Sequence, residues 1–219
     1  MKSSNVVAAI FSIAVSALAV PLAVAADQAA GWYVGGSIGQ SRVNYSSSTL
    51  VSDLAAGGIT GTGTVSTNDT AGKLFVGYQF NPNLALEGGY FNMGTFLKAN
   101  GTFTKPAPGG TFAATAKGQG GNFDVVGMLP FGQGFAGIGR LGVAYFETKA
   151  EATASVAGFS GYSNATSNKT VVDAGLGLQY EFTKSVAGRL EWQRYFKVGN
   201  SNTGSGDVDF YSLGITVKF

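Results

Sequence analysis

Cysteine and histidine are both absent from the 219 residues of this chain. Without cysteine there is neither a disulfide framework nor a thiolate metal site. Without histidine, lipases, deacylases and aspartate–histidine proteases lose their general base, and metals lose a principal nitrogen ligand. Charge is scarce too: Asp, Glu, Lys and Arg make up 12% of the chain and balance to a formal +2. So small a net charge provides no electrostatic footprint for nucleic acid, and no such partner is expected. Beyond the N-terminal segment, no stretch offers the ~18 consecutive apolar residues of a spanning helix. Yet 45% of the residues are hydrophobic, so the apolar side chains are distributed in short pieces. A two-carboxylate mechanism through Glu87, Asp173 or Glu191 is the one enzymatic route left formally open. No enzyme activity, cofactor or metal is expected.

The N-terminus has a recognisable shape. Met1-Lys2 is a short basic start, Val6 to Val20 is almost unbroken apolar sequence, Pro21 interrupts it, and Ala23-Val24-Ala25 forms a small-x-small cleavage site. This reads as a signal peptide over residues 1–25, with cleavage after Ala26 as the alternative. The remainder, 26–219, is the size of one domain. Glycine occurs 34 times, about twice its usual share, which disfavours helices and suits curved, closed sheets.

From residue 31 the chain alternates with period two. Trp32, Val34 and Ile38 share one parity in a first strand over 31–43, and Leu74, Val76, Tyr78 and Phe80 in a second over 71–80. Further strands are expected at 84–94, 120–129 and 135–147, then through Val172–Phe182, Val186–Phe196 and Tyr211–Phe219. Asn81-Pro82-Asn83, Pro130–Gly134 and Thr183-Lys184 read as tight turns. Between them lie polar connections at 44–70, 95–118 and 148–169, with about ten residues before the last strand, expected to be mobile solvated loops. Eight strands of about ten residues, joined alternately by short turns and long loops, form the pattern of an outer-membrane barrel. The expected fold is therefore all-β, an eight-stranded antiparallel up-and-down transmembrane β-barrel behind a cleavable signal peptide. Its aromatics divide into a turn-side girdle (Phe80, Phe135, Tyr180, Phe182, Phe219) and a loop-side girdle (Tyr90, Tyr145, Trp192, Phe196, Tyr211).

Gly77-Tyr78-Gln79-Phe80-Asn81-Pro82, Leu86-Glu87-Gly88-Gly89-Tyr90 and Arg189-Leu190-Glu191-Trp192 resemble the transmembrane domain of the outer-membrane protein A family, as does the Gly-Trp-Tyr-Val-Gly-Gly opening at 31–36. The resemblance implies residence in the bacterial outer membrane and a barrel interior filled by side chains. It also implies that the closing strand, through Tyr211, Leu213, Ile215, Val217 and Phe219, is read by the barrel-assembly machinery. Glu87 and Arg189 match the family's lumenal carboxylate–guanidinium pair, and Glu191 matches the acid two residues on. The family's gating lysine has no counterpart, its position being taken by Val126. Larger members carry a peptidoglycan-binding domain after the barrel; the chain stops at Phe219, and no cell-wall tether is expected. The implied role is structural and non-catalytic, with a low-conductance pore or a loop-mediated adhesin as alternatives.

Parity places Lys73, Glu87, Asp124, Arg140, Asp173, Arg189 and Glu191 on the face opposite the apolar one, inside the barrel. Three positive and four negative groups in a narrow tube must pair and hydrogen-bond, so a polar, side-chain-filled lumen is expected. Arg194 shares the outward parity of Trp192 and Phe196 and is the candidate contact to lipopolysaccharide phosphates. Gly137-Ile-Gly-Arg-Leu-Gly142 satisfies the GxGxxG spacing, but inside a period-two strand there is no helix N-terminus to hold a pyrophosphate.

Overall fold

The computed structural model describes residues 30–200 and 203–219; the expected signal peptide and its cleavage site lie outside the described residues. Ten strands and one helix follow in the order β1 (Gly31–Val43), α1 (Ser47–Ala56), β2 (Thr60–Ser66), β3 (Asn68–Asn81), β4 (Leu84–Asn92), β5 (Leu97–Lys105), β6 (Gly110–Gly132), β7 (Phe135–Val156), β8 (Phe159–Glu181), β9 (Val186–Asn200) and β10 (Gly204–Lys218). Eight of them, β1, β3, β4 and β6 through β10, pair antiparallel into a closed ring. Closure runs from Tyr33 opposite Lys218 to Val43 opposite Val208, so the first and last ring strands seal each other.

The alternation seen in the sequence decides which face is which. Leu74, Leu176, Leu213 and Ile38 are each 64–69% exposed, whereas the charged residues of opposite parity are buried. An apolar exterior around a polar interior inverts the arrangement of a water-soluble barrel and suits lipid. At the turn end, Phe135 and Phe182 flank Tyr180 at centroid distances of 4.6 and 5.3 Å, with Phe80 and Phe219 exposed nearby in the same girdle. Tyr90, Tyr145 and Tyr211 face outward toward the other end.

The turns have local causes. Asn81 Oδ1 accepts from the Asn83 amide at 2.8 Å, and Thr183 Oγ1 accepts from Val186 N at 3.0 Å. Gln133, between two glycines of positive φ, turns β6 into β7.

The long connections differ from the expected mobile loops. Ser46 caps α1 through Thr49 N at 3.1 Å, and the helix buries Leu50 against Gly63 of β2. Strand β5 pairs with both β2 and β6, and the β7–β8 hairpin continues in unbroken register to Val156 opposite Phe159. The turn beyond is two residues, Ala157 and Gly158, both at positive φ as a hairpin of matching twist requires. Together β2, β5 and the outer parts of β6, β7 and β8 form a five-stranded blade rising from one side of the ring. Its alternation is small against polar: Ala150, Ala152 and Ala154 on one face, Glu151, Thr153 and Ser155 on the other. Such a pattern lacks the apolar amplitude that identified the ring strands.

Candidate functional site

The seven charged residues of inward parity come from six strands: Lys73 on β3, Glu87 on β4, Asp124 on β6, Arg140 on β7, Asp173 on β8, and Arg189 and Glu191 on β9. None is more than 8% exposed. Arg140 is the central cation. Its Nη1 lies 2.9 Å from Asp124 Oδ2, and its Nη2 lies 2.6 Å from Glu191 Oε1 and 3.2 Å from Glu87 Oε2. Glu87 is the central anion, accepting from the Arg189 guanidinium and, at 2.7 Å, from the Tyr33 hydroxyl. Lys73 Nζ donates to Asp124 Oδ2 at 3.3 Å and to Gln193 Oε1 at 3.1 Å. Asp173 joins through Gln193, whose Nε2 donates to its Oδ1 at 2.6 Å. Such a layer is tolerable away from water because nearly every charge meets an opposite one with directional hydrogen bonds.

Two glycines make room for it. A Cβ built at Gly142 meets Asp124 Oδ1 at 2.2 Å, and one at Gly175 meets Arg140 Cγ at 2.9 Å. The third glycine of the GxGxxG match is thus a space for a lumenal carboxylate, within strand β7.

The paired polar side chains share the lumen with apolar ones. On the blade side, Phe91, Phe146, Phe210, Met93 and Tyr195 are 0–1% exposed in one apolar cluster, with the Phe91 and Tyr195 rings 4.8 Å apart. On the turn side, Phe75, Val126, Met128 and Ile138 form another with Tyr33. The charged layer is held between two apolar layers, and the Arg189 guanidinium lies 5.3 Å from the Tyr33 ring centroid and 5.5 Å from that of Phe75. The sequence reading missed Tyr33, Asn122, Gln179 and Gln193 as members of the network. Parity carried the signal for all four, since each lies on the inward side of its strand. The same holds for inward aromatics such as Phe146.

Arg194 points outward as expected, but it is not a lone charge. Its Nε and Nη2 reach Asp209 Oδ1 and Oδ2 at 2.7 and 2.8 Å, and Trp192 Nε1 donates to the same carboxylate at 2.9 Å. Arg42, exposed on β1, stands opposite Asp209 in register. On β10 Tyr211, Leu213, Ile215 and Val217, and after it Phe219, project outward, each at least 41% exposed.

At the loop end of β3, Asp69 accepts from the Thr95 amide at 2.8 Å where β4 bends into β5. That bond, with the Thr70 amide and Lys98, holds its carboxyl below the ordinary value against a smaller opposing effect of burial. Tyr45 donates to Asp53 at 2.6 Å; partial burial, then this carboxylate, push its hydroxyl up to about 12.

A profile of the OmpA-like transmembrane domain matches residues 27–219. Outer membrane protein A of Shigella flexneri is 27% identical over 190 residues, covering 86% of this chain and 48% of that protein. The chain thus spans about half the length of this curated relative. Among solved structures, outer membrane protein OprG of Pseudomonas aeruginosa aligns over 86% of this chain and 96% of its own, with 16% identity and a TM-score of 0.49. Neisserial surface protein A aligns over 88% of this chain and 100% of its own, with 18% identity and a TM-score of 0.45.

Proposed function

Because this chain belongs to the OmpA-like transmembrane domain family of the bacterial outer membrane, we propose that it serves there as a non-catalytic structural barrel with a closed lumen. One observation carries the reading: the three stacked lumenal layers, in which Glu87, Asp124 and Asp173 are fully buried beneath an equally buried Phe91–Phe146–Tyr195 cluster. A permeant ion would have to displace ring contacts and then break ion pairs. The turns lie in the periplasm and the blade stands outside, by the usual arrangement of short and long connections. Efflux from liposomes carrying the refolded protein tests this. Retention of small entrapped solutes supports a closed barrel, and rapid leakage supports the pore alternative.

Two partners belong to the same proposal. The outward row of Tyr211 to Phe219 is available to the barrel-assembly machinery during insertion. Arg42 and Arg194, beside Asp209 on the loop side of Tyr211, are the proposed contact to lipopolysaccharide phosphates. Replacing both arginines with alanine should reduce the thermal stabilisation that added lipopolysaccharide produces.

A further inference from the structure

The two edges of the blade are treated differently. At the β2 edge, Ser47 Oγ of α1 accepts the Val65 amide at 3.2 Å, and a register shift interrupts pairing at Thr60. That edge is covered by the helix and broken by an irregularity, two common ways of blocking further pairing. Among the described residues, no such device is present at the β8 edge. Strand β8 pairs with β9 only from Asp173 to Glu181, while from Phe159 to Val172 it pairs with β7 alone. From Phe159 to Asn168 it has no proline, no charged residue and no register shift.

The hairpin fixes which backbone groups are free. A two-residue turn makes Val156–Phe159 a hydrogen-bonded pair, and bonded pairs then alternate along the ladder. Ser160, Tyr162, Asn164 and Thr166 therefore turn both N–H and C=O away from β7. No hydrogen bond to these four amides occurs among the described residues. The side chains beside this edge are small on the lumenal face (Ala152, Ala154, Ser163, Ala165) and polar on the other, where Glu151 stands opposite Asn164 and Lys149 opposite Thr166.

We propose that the free edge of β8, from Ser160 to Thr166, docks an extended strand of another protein, which adds to the blade by backbone hydrogen bonding. Unsatisfied donors and acceptors at the spacing of a ladder recognise extended polypeptide. The alternating bed selects a strand with small residues on one face and polar residues on the other. A second copy of this chain fits poorly. Two upright barrels in one membrane are related by an axis along the membrane normal, which sets equal residues of two parallel β8 edges at equal height. N–H then meets N–H, whereas a parallel ladder needs a stagger.

The test uses the refolded full chain in nanodiscs and a synthetic peptide with the sequence of residues 147–156, a segment already able to pair with β8 as a strand. Hydrogen exchange is expected to be fast at Ser160, Tyr162, Asn164 and Thr166 in the free protein and slowed by millimolar peptide. Asn164→Pro removes an edge donor but no β7–β8 bond, and should weaken peptide binding about fivefold. Protection of these four amides without peptide would overturn the proposal. So would unchanged exchange at millimolar peptide, or unaltered binding by Asn164→Pro with its β7–β8 amides still protected.

Discussion

Replacing Glu87 with alanine removes the acceptor shared by Arg189, Arg140 and Tyr33 in a single change. The carboxylate is fully buried and both arginines are at most 5% exposed, so neither guanidinium can turn to water when its partner goes. Arg140 keeps Asp124 and Glu191, but Arg189 keeps the Gln179 hydrogen bond, a long 3.8 Å approach to Glu191 and the Tyr33 and Phe75 rings, with no close carboxylate. Breaking a buried pair from one side costs about 3–5 kcal/mol, mostly the burden of the stranded charge. Asp173 supplies the contrast. It is equally buried but joins through Gln193 alone, so Asp173→Asn should cost about 1 kcal/mol. Urea unfolding of both variants in lipid vesicles, followed by tryptophan fluorescence, reads the two numbers against wild type. Adding Arg189→Leu to Glu87→Ala should recover part of the loss, because the stranded cation is then removed. A loss below about 1 kcal/mol for Glu87→Ala, or an equal loss for Asp173→Asn, contradicts the assignment of Glu87 as the central anion.

Gly142→Ala should destabilise by about 1–3 kcal/mol, since its new methyl group meets Asp124 and the Phe123 carbonyl, whereas Gly139→Ala has open space around it and should be neutral. Thermal melts of the two variants decide between a lumenal packing role and a mere strand position. Asp209→Asn weakens the Arg194 clamp at the rim, and a partly exposed pair of this kind is worth about 1 kcal/mol or less, measurable in the same melts. The lowered carboxyl of Asp69 gives the β4–β5 bend a pH dependence. The folded state holds this group deprotonated, so its contribution is complete above the carboxyl's unfolded range and is lost as pH falls through the lowered folded value. Exchange of the Thr95 amide should therefore gain less protection in acid, and Asp69→Asn should abolish the pH dependence.

The ring was legible in the sequence because each of its strands has one apolar parity strong enough to be read alone, Leu74 to Phe80 being the plainest. The seven lumenal charges were legible for the same reason, since parity assigns a face whatever the side chain. Contacts across the lumen were not. Arg140 and Glu191 are separated by 51 residues and meet only because the ring closes with a particular stagger, which period two does not encode. The blade escaped for a different reason. In Thr60–Ser66 and Lys149–Val156 polar residues alternate mainly with glycine or alanine, and the strand signal there rests on pairing partners rather than on hydrophobic contrast. Asp209 has the outward parity of Tyr211, but the closing strand is expected only from Tyr211, and the pairing of Asp209 with Arg194 depends on β10 beginning earlier, at Gly204.

The account's central claim is a lumen closed by a charged layer between two apolar ones. Single-channel recording in planar bilayers tests it most directly, with the wild-type chain compared to a Phe91→Ala, Phe146→Ala, Tyr195→Ala variant. The wild type should leave the bilayer sealed across the voltage range, with conductance steps, if any, confined to the variant. Reproducible conductance steps from the wild-type barrel would contradict the claim.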